Sequence, residues 1–149
     1  AVSGGEIYRA LRAHTPPERI VFAGVGKNVQ ELYYAVEQEV GWFNIENVQE
    51  ARTLNTIAAQ AGKKVRVSIR LNPEVEANTH RHIATGHGGA KFGLTADAVR
   101  DLLDHQNELP SLDFAGIHIH IGSQLHDIDA TAEAVARDEM MTGDGTEAM

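Results

Sequence analysis

Short runs of β-branched and aromatic residues alternate along this chain with amphipathic stretches, and no other feature limits its fold so strongly. Strand, helix, strand in succession leads to a parallel sheet with crossover helices, because parallel neighbours need a connection long enough to return to the same end. Five units can be read. Residues 1–3 close a first strand, Gly4-Gly5 turn the chain, and Ile7, Ala10 and Leu11 mark a helix stopped by Pro16-Pro17. Residues 19–23 form the second strand, and Gly24-Val-Gly26 is a turn. Asn28 then caps a helix whose apolar face is Val29, Leu32, Tyr33 and Val36, ending at Gly41. Residues 42–45 are a third short strand. Asn47 is the next N-cap, with Glu50 three residues on, and Leu54, Ile57, Ala58 and Ala61 carry the apolar stripe to Gly62.

The fourth strand, Val65 to Leu71, sets apolar residues on one face and Arg66, Ser68 and Arg70 on the other. In a barrel that polar set faces the lumen. Residues 72–93 show neither helical nor strand period, and a loop of roughly twenty residues is longer than a compact domain keeps without a use. A helix over 96–105 and a fifth strand over 114–121 follow. Units of about twenty residues suit a β/α barrel better than an open doubly wound sheet, whose units run to about thirty. The fold class is therefore α/β, a partial (β/α)8 barrel of about five βα units.

Charge and composition narrow the function. Thirteen basic against twenty-one acidic side chains leave a net charge of −8, which argues against a nucleic-acid partner because phosphate binding needs a cationic face. No run of eighteen apolar residues exists, and the first residues have neither the basic start nor the apolar middle of a signal peptide. The expectation is a cytoplasmic protein with no membrane partner. With no cysteine, disulfides, zinc thiolate sites and a thiol nucleophile are excluded, so any chemistry comes from His, Lys, Arg, carboxylates or a cofactor. The chain opens on a strand-like run without an initiator Met, which suggests that something upstream is missing, and residues 138–149 have no sustained apolar period and read as a tail.

The sharpest local signal is His118-Ile-His120-Ile-Gly122-Ser123-Gln124, since alternate strand residues share a face and make the two imidazoles neighbours. One reading is a divalent metal site, with further His and Asp ligands on later strands, as in hydrolase barrels. A second lays His120 flat on a planar cofactor, with the Gly122-Ser123 turn on its phosphate. A third makes the histidines hydrogen-bonded core residues, and spacing does not separate the three. The loop over 78–93 holds three His, Arg81, Lys91 and several Gly, a composition suited to an anionic ligand and equally to a solvated loop. Arg70 ends a strand on the polar face and is a candidate contact for a cofactor or carboxylate, or else a surface arginine on an open strand edge. Gly24-Val-Gly26-Lys27 lacks the ending of a P-loop and the third Gly of a dinucleotide fingerprint, and is read as a strand-to-helix turn.

Val2-Ser-Gly-Gly-Glu6, Ile20-Val-Phe-Ala-Gly-Val-Gly-Lys27, Phe43-Asn-Ile-Glu46, Arg70-Leu-Asn-Pro73, Thr79-His80 with Thr85-Gly86, Lys91-Phe-Gly93 and His118-Ile-His-Ile-Gly-Ser-Gln124 stand in one order and spacing. In these seven phrases, over about residues 1–125, the chain resembles the diaminopimelate decarboxylases, pyridoxal-phosphate enzymes related to ornithine and arginine decarboxylases. The resemblance implies an alanine-racemase-like TIM barrel followed by a β domain, working as a homodimer. It implies pyridoxal 5′-phosphate as cofactor and decarboxylation of meso-2,6-diaminopimelate to L-lysine in lysine biosynthesis. By the same resemblance His120 stacks on the pyridine ring, Ser123 binds the phosphate and Arg70 lies near the ring substituents.

The family's Schiff-base lysine lies in a Tyr-Ala-x-Lys-Ala-Asn type phrase upstream of Ser-Gly-Gly-Glu, and no such phrase occurs here. The glycine-rich phosphate loop, the acidic partner of the ring nitrogen and the second domain's catalytic cysteine are missing as well. What is expected is an internal fragment: residues 1–125 as a partial pyridoxal-phosphate barrel, 126–149 as a helix remnant and tail, no second β domain, and no activity of its own. The alternatives are a metal-dependent hydrolase barrel using His118 and His120, another basic-amino-acid decarboxylase, and a non-catalytic remnant that associates with a chain completing the barrel.

Overall fold

The computed structural model describes residues 1–73 and 92–120. Helix α1 (Gly4–Arg12) precedes β1 (Val21–Phe22), followed by α2 (Val29–Glu37), β2 (Trp42–Ile45), α3 (Val48–Gln60), β3 (Val65–Leu71), α4 (Ala96–Asp104) and β4 (Leu112–Ile119). The strands form one parallel sheet in the order β1-β2-β3-β4, each joined to the next across a helix. Chain order and spatial order coincide, as in the wall of a β/α barrel.

Local chemistry explains the helix starts. Ser3, Asn28, Asn47 and Thr95 each accept a hydrogen bond from a backbone N–H of the helix that follows, and at Asn28 the Glu31 carboxylate reaches back to the Asn28 N–H. Leu54, Ile57 and Ala58 of α3 and Leu32, Ala35 and Val36 of α2 are buried against Phe22, Phe43, Ile45, Val67 and Ile69 on one face of the sheet. Phe22 and Phe43, paired across β1 and β2, meet at 6.2 Å between ring centroids.

Several boundaries differ from the sequence reading, each for a physical reason. Gly4 and Gly5 are the first turn of α1 rather than a turn before it, because Ser3 caps the helix one residue earlier. Residues 1–3 are not an assigned strand, yet Ala1 donates to Val21 O and accepts from Ala23 N–H, so the extended end lies along β1. In α2 Val29 and Tyr33 are 52% and 40% exposed while Ala35 is buried, which turns the buried stripe toward α3. Helix α2 ends at Glu37, well before Gly41, and Glu39 has φ 59°. Gly41 serves another purpose: a Cβ there would overlap the Glu18 carbonyl, so only glycine lets the chain pass. The last strand starts at Leu112, two residues earlier than read, and four strands rather than five stand among the described residues. Just past the region read as one loop, Leu94 makes a parallel bridge to Leu71 at the end of β3, and residues 74–91 of that loop lie outside the described residues, as does 121–149.

Truncating Phe43, with no exposed surface between sheet and helices, should lower stability by about 3–5 kcal/mol as Phe43→Ala. Val29→Ser, on the exposed side of α2, should stay within about 0.5 kcal/mol of wild type. Urea unfolding of the two variants checks both values, and a large loss at Val29 would restore the sequence-based face.

Candidate functional site

Period two on parallel strands sends paired residues to the same face, and the register stacks the polar face of the sheet in layers. Arg66 pairs with Asp113 beside Trp42, and its guanidinium lies 5.1 Å from the Trp42 ring. Above them Ser68 pairs with Asn44 on one side and Gly116 on the other, and its hydroxyl donates to the Asn44 side chain. At the carboxyl ends come Arg70, paired with His118, and Glu46, one residue past β2. That rim is where barrel sites form.

The rim is held by charge. Arg70 Nη1 donates to both Glu46 oxygens, at 2.9 and 3.2 Å, with side chains 15% and 5% exposed. Arg70 is thus no surface arginine on an open edge, since β3 has neighbours on both sides. Phe92 lies over the guanidinium, 5.7 Å from Arg70 Cζ to the ring centroid, and a Cβ at Gly93 would press on the Arg70 carbonyl at 2.9 Å, with φ there at +85°. Two of the seven resemblance phrases therefore meet at one point, Arg70 of one against Phe92 and Gly93 of the other. His118 is half-buried, and its Nδ1 is buried with no hydrogen-bond partner. His120 follows β4, exposed, two residues along the same strand line. Ser123 lies outside the described residues.

Behind the rim sits a second buried pair that the sequence reading passed over as a turn. Lys27 Nζ, with no side-chain exposure, donates to Glu50 Oε1 at 2.7 Å, to Asn44 O at 2.7 Å and to Gly24 O at 2.8 Å. It ties the β1–α2 turn to β2 and α3. Burial pushes the Glu50 carboxyl above the usual range, outweighing the neighbouring ammonium. Lys27 is consumed by these three contacts, and Lys63 and Lys64 precede β3 at the opposite end of the sheet, where Lys63 bonds Val36 O. A cleft of about 570 Å3 also opens at that end, lined by Glu18, Gly41, Lys63, Lys64, Arg66 and Asp113 among others, with charges of both signs and no link to the rim.

Burial lowers the His118 pKa below the ordinary histidine value, the Arg70 guanidinium adds to this, and the Glu46 carboxylate opposes it. Glu46 and the place of His118 beside Arg70 are what sequence reasoning missed: within its phrase Glu46 carries no role, and the spacing of His118 points only to a metal ligand or a core residue. The signal was available in the alternation, since Asn44 and Glu46 continue the polar face opposite Ser68 and Arg70. Among the described residues no group of three or more His, Asp or Glu side chains is placed to hold a metal ion, and no helix there is long and apolar enough to cross a membrane.

Comparison with known proteins gives one consistent result. The model of the pyridoxal-binding domain of pyridoxal-dependent decarboxylases matches residues 1–148, past residue 125 where the quoted phrases end. The diaminopimelate decarboxylase of Aquifex aeolicus is 48% identical over 136 residues, 91% of this chain and 32% of that protein. That of Vibrio cholerae is 40% identical over 148 residues, 97% of this chain and 36% of the relative. The chain spans about a third of the length of these relatives. The crystal structure of a variant Helicobacter pylori diaminopimelate decarboxylase complexed with L-lysine superimposes with a TM-score of 0.83 at 38% identity, covering 96% of this chain and 36% of that one. A Chlorella virus arginine decarboxylase at 23% identity, TM-score 0.76, shares the fold.

The His118 environment sets a pH dependence. The unfolded chain protonates this imidazole near the ordinary value of about 6.5 and the folded chain only at lower pH, so unfolding takes up a proton in that window. Stability therefore falls as pH drops from about 6.5 toward the folded value. Exposed His105, raised mainly by the Asp101 carbonyl, works in the opposite sense, so the comparison must be between wild type and His118→Gln at each pH. The expected result is a shallower acid loss of the urea midpoint in His118→Gln, and equal slopes would contradict it.

Proposed function

The chain belongs to the pyridoxal-dependent decarboxylases through their pyridoxal-binding domain, and from that premise we propose that its rim forms part of a pyridoxal 5′-phosphate site in an enzyme that decarboxylates meso-2,6-diaminopimelate to L-lysine. The observation that carries this reading is the cluster of Arg70, Glu46, His118 and His120 at the carboxyl ends of β2, β3 and β4. Its donor set fits the cofactor. A guanidinium fixed at the rim suits phosphate or ring oxygens, imidazoles suit the face of a planar ring, and the unpartnered His118 Nδ1 is a buried polar atom that a further group would satisfy. When bound, the cofactor supplies an electron sink for the carbanion left by loss of carbon dioxide.

The chain's own residues bind and orient. Arg70 holds anionic oxygens at the rim, His120 packs against the ring on the face away from substrate, and Ser123 contacts the phosphate. The L-lysine bound in the Helicobacter pylori diaminopimelate decarboxylase supports a diamino dicarboxylic acid as substrate. Another basic amino acid is the nearest variant, favoured by the shared fold of the arginine decarboxylase. Residues 1–125 would be barrel wall and 126–149 its continuation into a helix and tail, in a cytoplasmic homodimer. The metal-dependent hydrolase is not favoured, since His118 and His120 gather no third ligand among the described residues.

Covalent attachment needs a lysine amine at the rim; among the described residues Lys27 is held by its three acceptors and Lys63 and Lys64 lie at the opposite end of the sheet, while Lys91 lies outside the described residues. Purified chain mixed with pyridoxal 5′-phosphate and reduced with borohydride should show no lysine labelled stoichiometrically, and diaminopimelate should release no carbon dioxide above a buffer control. Binding without attachment should be seen by titration of the cofactor absorbance. Arg70→Met should weaken it roughly tenfold to a hundredfold, the size of a lost hydrogen bond to a charged group. Wild type that binds neither the cofactor nor inorganic phosphate would overturn the reading, as would stoichiometric labelling of one lysine with turnover.

A further inference from the structure

We infer that Glu46 is the positioning residue of the rim: its buried carboxylate fixes the Arg70 guanidinium beside His118 and so aims the rest of the guanidinium fork at the cofactor. This rests on the cofactor reading above and extends it to a carboxylate that works through another side chain.

The geometry is specific. Both Glu46 oxygens fall on one nitrogen, Nη1, at 2.9 and 3.2 Å, so the carboxylate takes one corner of the fork and leaves Nη2 and Nε outside the ion pair. A carboxylate meant only to neutralise Arg70 would take the bidentate arrangement, two nitrogens to two oxygens, that guanidinium geometry favours. The face of the guanidinium is set by Phe92, and Gly93 admits the backbone that brings Phe92 there. Glu46 is itself held from behind. Its backbone faces the Glu50 carboxylate, which Lys27 holds at 2.7 Å, and Lys27 also bonds the Asn44 carbonyl two residues before Glu46. Restraint thus passes from the buried Lys27–Glu50 pair through the end of β2 to Glu46 and Arg70. His118 stands in register with Arg70 on β4, and the charged groups that act on it are Arg70 from β3, Glu46 from β2, His120 from its own strand line and Lys27 from the β1–α2 turn.

The test compares the full chain with its Glu46→Gln, Glu46→Asp and Arg70→Met variants by three measurements. In wild type the Arg70 Nε–H resonance should be sharp and slow to exchange, and in Glu46→Gln it should broaden or vanish. The His118 imidazole, followed by NMR against pH, should titrate lower in Glu46→Gln than in wild type, because the carboxylate that favours its charged form is gone while Arg70 stays. Pyridoxal 5′-phosphate should bind Glu46→Gln on the order of tenfold more weakly, as when the outer partner of a ligating group is removed. Glu46→Asp keeps the charge with a shorter reach, and should restore the His118 titration more fully than the cofactor affinity. If Glu46→Gln does not fold, the Arg70 resonance and affinity of Glu46→Asp decide. A folded Glu46→Gln with an unchanged Arg70 resonance and an unchanged His118 titration overturns the inference, even if its unfolding midpoint has dropped. Wild type that fails to bind the cofactor removes the cofactor reading alone, because the arginine and histidine measurements need no ligand.

Discussion

β3 is hydrogen-bonded on both sides, to β2 and to β4, and in the same direction as each. A strand so placed has no free edge, and its pleat leaves two faces for side chains. Val65, Val67, Ile69 and Leu71 take one face and bury it under the helices, which forces Arg66, Ser68 and Arg70 together on the other. Because the neighbours are parallel and in register, their polar residues line up with these three, and the layers follow. A shift of one residue in β3 would send Arg70 into the helical layer and Ile69 to the rim, exchanging every contact of the site at once. Pairing register and site geometry are therefore one constraint.

That constraint explains why two buried ion pairs are found so close together. Burying an ion costs several kcal/mol unless its partner and its remaining hydrogen bonds are supplied, and such pairs add little to stability over apolar residues of the same size. Lys27 meets the condition with three acceptors, two of them backbone carbonyls that the sheet already holds still. Glu50 is less fully compensated, and its raised pKa shows burial winning over the ammonium. Arg70 and Glu46 sit nearer the open end, where solvent reaches part of the guanidinium. The inner pair locks a turn, two strands and a helix in place, and the outer pair then has a fixed base. Such order is what a site needs when its contacts must hold a planar ligand to within a fraction of an ångström.

What the residues announced in advance follows the range of the interactions. Strands β2 and β3 and the start and core stripe of helix α3, Leu54, Ile57 and Ala58, matched their sequence-based expectations because each depends on local terms, an Asn47 cap, a period of 3.6 and a period of two, while Ala61, expected to extend the stripe, caps the helix and is exposed. The apolar face of α2 was misplaced by one step. Val29 and Tyr33 have the right spacing for a stripe, but the crossing onto α3 selects Ala35 instead, and nothing local to α2 encodes that crossing. Lys27 reads locally as part of a turn for the same reason, since its partners outside that turn, Asn44 and Glu50, lie 17 and 23 residues away. The meeting of Arg70 with Phe92 likewise depends on Leu94 rejoining the end of β3, a contact across a segment whose sequence shows no period at all. The placement of His118 opposite Arg70 was within reach of strand alternation, and only the bulge between Val67 and Ser68, which skips Ala115, had to be supplied by the structure.

The sign of the charge at the rim bears on the two chemistries that the His118-Ile-His120 pair suggested equally well in sequence. A divalent cation on these imidazoles would gain from a carboxylate ligand, and the rim carboxylate among the described residues, Glu46, is engaged by Arg70. The cation would also face the guanidinium in register with His118. At a separation of roughly 6 Å and an effective dielectric of about 20, repulsion is about 3 kcal/mol per unit charge, and a divalent ion doubles it. An anionic group meets the opposite field: Arg70 attracts it, and burial keeps His118 neutral, so that the imidazole offers hydrogen bonding and a flat surface without adding a second fixed cation. Through one neighbour on the adjacent strand the field at this pair of histidines thus disfavours a divalent cation and favours an anionic group, and the carboxylate paired with that neighbour is removed from the metal-ligand set by the same contact.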